Sequence, residues 1–215
     1  ILSSTIPNCL SYDPTFSYEI SAIIKNGIQK MYVENKNYFY YITTMNENYE
    51  QPEMPEGSEE GIIKGLYKFK SCNNPQVRLV GSGSILRESI KAAKLLQNYG
   101  IDSEVWSATS FNLLRKEGME VERENQLNPT LEQKTSYVSE CFNDSDIPII
   151  ATTDYMRSYA EQIRPYITSQ YTVLGTDGFG RSDSREKLRE FFEIDSSSIT
   201  RAAAYSLFKE NKIDK

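Results

Sequence analysis

Two glycine-rich turns hold the residue types that can grip an anion. The first is Gly81-Ser82-Gly83-Ser84, within VRLVGSGSILRES at 77–89. An apolar run precedes it and a helical pattern follows, so its backbone N–H groups could face an anion at a helix N-terminus. It supplies only the first two glycines of a dinucleotide fingerprint. Leu86 stands where the third glycine would let helix and strand pack closely. The lysine–hydroxyl pair of a P-loop is missing as well. The second turn is GTDGFGRSDSREKL at 175–188, with Gly175, Gly178 and Gly180 followed by Arg181 and Arg185. Its glycines permit positive φ in a tight turn. Its arginines suit a carboxylate or phosphate, and Asp183 with Glu186 fits a loose capping box. Local chemistry leaves both turns open between a structural bend and a ligand or subunit contact.

Other chemistry is limited. The chain has 215 residues and no histidine. Imidazole acid–base catalysis, imidazole metal ligation and Ser–His or Cys–His nucleophiles are therefore excluded within it. Carboxylate runs such as Glu56, Glu59, Glu60 and Glu120, Glu122, Glu124 read as solvated faces, and no carboxylate pair stands in an apolar setting that would raise a pKa. No residue is assigned a catalytic, cofactor-binding or metal-ligating role. Cys9, Cys72 and Cys141 are few, odd in number and widely spaced, the pattern of reduced thiols in a cytoplasmic protein. The net charge of −6 argues against nucleic acid as a partner. No run approaches the ~18 apolar residues of a membrane helix, and no signal peptide is visible. The chain opens on Ile1 rather than Met, which reads as a piece of a longer protein.

The elements that must position the two turns follow from periodicity. Asp13 and Pro14 read as the N-cap and first residue of a helix over 13–32, with Phe16, Ile20, Ile23, Ile24 and Ile28 at helical spacing. Residues 37–44, with Tyr38, Tyr40 and Tyr41, read as a strand buried on both faces. Residues 45–61 hold two prolines and many glutamates and read as an exposed linker. Strands are predicted at 77–82, 103–108, 147–153 and 171–176. Helices are predicted at 84–100 with Gly100 as the stop, 109–117, 130–142, from Asp154, 183–192 and 196–211. The alternation implies an α/β fold, three layers with a mostly parallel sheet and helices on both faces.

Five stretches carry a family resemblance: TIPNCLSYDPTFSYE (5–19), YYITTMNENYEQPEMPEG (40–57), LVGSGSILRES (79–89), ATTDYMRSYAEQIR (151–164) and GTDGFGRSDSREKLREFFEID (175–195). Through them the chain resembles the C-terminal part of the homodimeric, bacterial-type pyruvate dehydrogenase, the thiamine-diphosphate-dependent decarboxylating component of its complex. The resemblance implies a transketolase-like C-terminal domain over 61–215, a linker at 45–60 and the tail of a pyrimidine-binding domain at 1–44. It also implies that thiamine diphosphate and Mg2+ are held by upstream domains at a dimer interface. The catalytic histidines then lie before Ile1, and no cofactor is expected on this piece, whose own role is architectural. Implied partners are the upstream domains, a second copy and the dihydrolipoyl acetyltransferase. On this reading Gly178, Gly180 and Arg181 shape a packing or subunit loop. The competing readings are an anion- or nucleotide-binding α/β module, using Gly81–Ser84 or Gly175–Arg181, and the C-terminal domain of another thiamine enzyme such as a transketolase.

Overall fold

The structure is a computed structural model and describes residues 1–213. Its centre is a five-stranded sheet in the order β3-β5-β4-β6-β7. The strands are β3 (Tyr67–Lys70), β4 (Val77–Gly81), β5 (Ser103–Ser107), β6 (Ile149–Thr152) and β7 (Tyr171–Leu174). All neighbours pair in parallel except β3, which runs antiparallel to β5. β4, β5 and β6 are buried throughout, as expected of strands covered by helices on both faces.

Alternate side chains of each strand feed two separate cores. Val80, Trp106, Ile149 and Ala151 pack with Phe111, Phe142 and Ile163 on one face. Leu79, Val105 and Ile150 pack with Leu86, Ala93, Ile199 and Leu207 on the other. The first face is covered by α4 (Phe111–Leu127), α5 (Tyr137–Phe142) and a 3-10 segment (Arg157–Tyr166). The second is covered by α3 (Leu86–Asn98) and α7 (Ser196–Lys209). This is the three-layer α/β architecture the alternation implied.

The helix starts are set by side-chain caps. Ser110 accepts from Leu113 N–H at 3.1 Å, and Asp195 accepts from Ser197 and Ser198 N–H at 3.3 and 3.2 Å. Gly100, at φ +71°, ends α3 as anticipated. α6 (Arg185–Phe191) starts differently from the expectation. Ser184 is its cap, and the Asp183 carboxylate turns back to accept from Ser184 N–H, so the Asp183–Glu186 box does not form. Residues 154 onward were expected to be an α-helix. They form a turn and then the 3-10 segment, which contains Pro165, a residue with no N–H to donate. α4 runs on to Leu127, well past residue 117, and the helix expected over 130–142 is confined to α5.

The first 44 residues depart most from expectation. The helix α1 (Ser17–Ile28) begins four residues after Asp13, with Phe16 at the N-cap, and passes into a π turn at Gln29–Val33. An unanticipated strand, β1 (Cys9–Tyr12), pairs in parallel with β2 (Phe39–Ile42). β2 alternates between exposed and half-buried residues instead of being covered on both faces, because β1 is its only neighbour among the described residues. A third apolar cluster joins this segment to the remainder: Leu10, Tyr12, Ala22 and Ile23 pack with Ile62 of α2 (Glu59–Lys64) and Tyr67 of β3.

A buried carboxylate reinforces that junction, against the expectation that carboxylates stay in solvent. Glu19 is 0% exposed. One of its oxygens accepts from Thr15 and Phe16 N–H; the other accepts from Tyr67 Oη and Ser107 Oγ, each at 2.7 Å. Burial pushes its carboxyl above the ordinary carboxylate range, although these four donors pull the other way. Glu19 stands three residues after Phe16 and four before Ile23, inside the apolar stripe of α1. That position was the available signal for its burial.

Candidate functional site

β4 connects to β5 on one side of the sheet, while β6 lies on its other side. The C-terminal ends of β4 and β6 therefore flank a topological switch point, where open α/β sheets hold ligands. The turn Gly81–Ser84 leaves β4 there, and Thr153–Tyr155 leaves β6.

The crevice between these turns already contains an acid group of the chain. Asp13, read from sequence as a helix cap, sends its carboxylate into the switch point. Its Oδ1 accepts from Thr43 Oγ1 at 2.5 Å and from Tyr155 Oη at 3.4 Å. Its backbone carbonyl accepts from Gly83 N–H at 3.1 Å, and its own N–H donates to Thr109 O at 2.7 Å. Burial raises the Asp13 carboxyl above its ordinary range, and the nearby Asp154 charge adds to this against the hydrogen bonds from Thr43 and Tyr155. Burial likewise raises the Tyr155 phenol, with the charge of Asp13 adding to it. Three segments distant in sequence thus meet on one carboxyl group.

The first turn accordingly forms the floor of the crevice. Gly81 lets α3 approach β4: a Cβ there would stand 2.5 Å from Leu86 Cα. Ser82 Oγ donates to Thr153 Oγ1 at 3.0 Å. Gly83 has φ +49°, and a Cβ there would stand 2.5 Å from the Asp13 carboxylate. Thr15 Oγ1 donates to Gly83 O at 2.7 Å. Ser84 reaches the crevice wall, with Oγ 3.4 Å from Asp154 Oδ2.

The second turn divides. Arg185 lines the crevice, donating to Asn46 O at 2.9 Å and standing 3.9 Å from Glu47. Gly178, Gly180 and Arg181 lie outside it. Gly178 has φ +84°, whereas Gly180 does not have positive φ, and a Cβ at either meets open space. Between them Phe179 is 95% exposed. Arg181 lies 4.9 Å above the Phe191 ring. The base of the loop is held by Arg157, whose N–H and Nε donate to Asp177 at 3.0 and 2.6 Å; these bonds hold the Asp177 carboxyl below its ordinary range.

These φ values make a discriminating prediction. Gly178→Ala is expected to cost about 1 kcal/mol, because only its backbone is left-handed. Gly180→Ala and Arg181→Ala should shift the melting temperature little, since a Cβ at Gly180 is unobstructed and the Arg181 stack is a surface contact. Thermal unfolding of the three variants checks this. A loss at Gly180 matching that at Gly178 would contradict the geometry of the turn.

The crevice has a volume of about 260 Å³ and a lining of mixed polar and apolar character. Glu47 borders it and pairs with Arg87 at 2.8 Å. Burial alone would raise the Glu47 carboxyl, but the Arg87 hydrogen bond and the charges of Arg87, Arg189 and Arg185 outweigh it and hold the group low. Arg189 also borders it and pairs with the buried Glu88 at 3.1 Å. Asp13, Thr43 and Tyr155 form a wall shared with a second, largely apolar cavity of about 600 Å³ lined by Leu2, Tyr41 and Met156. Sequence reasoning missed Asp154, Glu47 and Arg189 as neighbours of Ser84 and Arg185. None of the three cysteines lines the crevice. Cys141 lies away from it, and burial pushes its thiol up to about 11, away from reactivity.

Two family models match the chain. The transketolase-like C-terminal domain matches residues 65–195, and the pyruvate dehydrogenase E1 component middle domain matches residues 1–52. The pyruvate dehydrogenase E1 component of Pseudomonas aeruginosa is 54% identical over 219 residues, covering 100% of this chain and 25% of that protein. That of Escherichia coli K12 is 50% identical over 220 residues, with the same coverage. The chain thus spans about a quarter of the length of these relatives. Among solved structures, a mutant transketolase from Pichia stipitis superposes with a TM-score of 0.70 at 18% identity, covering 98% of this chain and 27% of that one. At that identity the likeness speaks for the fold alone.

Proposed function

The chain belongs to the transketolase-like C-terminal domain family, and from its likeness to pyruvate dehydrogenase E1 components we propose that it is a C-terminal part of such an enzyme. The observation that carries this reading is identity of about half over the whole chain, not over one motif. The complete enzyme decarboxylates pyruvate on thiamine diphosphate with Mg2+ and passes the acetyl group to lipoyl groups of a dihydrolipoyl acetyltransferase. It works as a homodimer in the cytoplasm. No helix among the described residues is long and apolar enough to cross a membrane. Residues 1–44 end the pyrimidine-binding domain, 45–60 link, and 61–215 form the C-terminal domain. The two family matches, ending at residue 52 and starting at residue 65, support that division.

Thiamine diphosphate would supply the electron sink for decarboxylation. The described residues contain no group of three potential metal ligands. The buried carboxylates Asp13, Glu19, Glu88 and Glu104 all accept from groups of the chain itself. No catalytic step is therefore assigned to these residues. Their part is architectural: Glu19 ties the first segment to the sheet, Asp13 ties it to the turns after β4 and β6, and the Arg87–Glu47 pair ties the linker to α3.

Two experiments test this. The 215 residues alone, given thiamine diphosphate and Mg2+, should release no carbon dioxide from pyruvate above a cofactor-only control. A chimera in which they replace the matching quarter of the Escherichia coli relative should dimerise and reductively acetylate lipoyl groups. A well-folded, dimeric chimera without that activity overturns the reading, as does turnover by the 215 residues alone.

A further inference from the structure

Every side chain that lines the 260 Å³ crevice comes from the five stretches through which the family resemblance runs. Asp13 comes from the first, residues 43–47 from the second, Ser84 from the third, Asp154 and Tyr155 from the fourth, and Arg185, Leu188 and Arg189 from the fifth. Those stretches make up little more than a third of the chain, yet none of the crevice falls outside them. A space at the switch point of an open sheet has the position of a binding site.

The charges in the crevice define what fits. Asp13 is engaged by the Thr43 hydroxyl, Glu47 by Arg87, and Arg189 by Glu88. Two further groups are held more loosely. Arg185 is mostly exposed and commits one N–H to Asn46 O, with Glu47 at a long 3.9 Å. Among the described residues Asp154 has only the 3.4 Å contact from Ser84 Oγ and no cationic partner. An available guanidinium and an available carboxylate thus border one small space, with the apolar side chains of Met45 and Leu188 beside them. A simple anion would use the first and be repelled by the second. A simple amine would do the reverse.

We propose that this crevice binds a small α-amino acid, its carboxylate on Arg185, its ammonium on Asp154 and Ser84, and a short apolar side chain against Met45 and Leu188. The crevice, about 260 Å³, has room for a whole α-amino acid with an apolar side chain. The site involves no covalent step. It goes beyond the architectural role proposed above and does not depend on it, since binding is read without any turnover.

Isothermal titration of the intact protein with L-alanine tests the proposal. Saturable heat is expected at ~10 mM, where even a millimolar site fills. Acetate, methylammonium and inorganic phosphate serve as half-ligand probes and should bind at least ~tenfold more weakly, since each forfeits one charge-assisted contact. Arg185→Gln and Asp154→Asn should each lower alanine affinity by a similar factor. Arg181→Ala, which lies outside the crevice, should leave it unchanged. All three positions are exposed, so far-ultraviolet circular dichroism should show unaltered folding. Absence of saturable alanine binding overturns the proposal. So does tighter binding of phosphate than of alanine, which would make this a plain anion site. Alanine binding that survives both Arg185→Gln and Asp154→Asn places the ligand elsewhere and overturns it too.

Discussion

Glu19→Ala lowers the unfolding free energy by about 3–5 kcal/mol, the summed cost of leaving several buried donors without their acceptor. The truncation orphans the Thr15 and Phe16 N–H groups at the start of α1 and the Tyr67 and Ser107 hydroxyls on the sheet. Glu19→Gln should be far milder, at about 1 kcal/mol. Its amide oxygen can face the two backbone donors, and its NH2 can face the two hydroxyls, which rotate to accept. The pair also differ in pH dependence. The Glu19 carboxyl is raised in the folded state, chiefly by burial. The unfolded chain therefore releases this proton first, at about pH 4.3, while the folded chain still holds it. The stability this group contributes is complete below that pH and is lost as pH rises through the folded value. The stability of the parent relative to Glu19→Gln should thus fall with rising pH over that window. Urea unfolding of the three proteins across the acid range measures both effects. Equal losses for Ala and Gln, or a difference that grows with pH, would falsify this account of the junction.

Gly81→Val is expected to be comparably severe. The added carbon meets backbone: Leu86 Cα at 2.5 Å and Leu86 N at 3.0 Å, with Ser89 Oγ at 2.9 Å. Neither β4 nor α3 can retreat, because each is packed in the core through Leu79, Leu86 and Ala93. Even Gly81→Ala should cost about 3 kcal/mol, which lowers the melting temperature by roughly 6–12 °C in a chain of this size. Valine should cost more. The strain also reaches the crevice, because Ser82 and Gly83 follow directly and hold Thr153 and Asp13. Calorimetry of Gly81→Ala beside Gly180→Ala separates close approach from turn chemistry. If the two variants melt alike, β4 and α3 are not as closely packed as described.

The two glycine turns show how far residue types could be read. Gly81 and Gly83 were recognisable as special, but not for the reason that turned out to apply. They stand where they do because a helix backbone and the Asp13 carboxylate occupy the space of a β-carbon. Arg185 and Arg181 are the same residue type four residues apart, yet only Arg185 lines the crevice. The Asp13-Pro14 pair looked like a helix start because both residues favour one. In the fold the Asp13 carboxylate instead accepts from Thr43, and the cap lies at Phe16.

The alternating strands, the helix faces, the stop at Gly100 and the three-layer α/β class were determined by the sequence itself. Each depends on side chains within a few residues of one another, and local sterics and periodicity suffice for them. The position of β1 and the buried state of Asp13 and Glu19 were decided only by the tertiary structure, as was the meeting of five separated stretches in one crevice. Those features rest on contacts such as Tyr155 with Asp13, 142 residues apart, and Ser107 with Glu19, 88 apart. A carboxylate becomes a buried acceptor or remains a solvated charge according to which distant donors the fold brings to it, and local sequence carries no record of them.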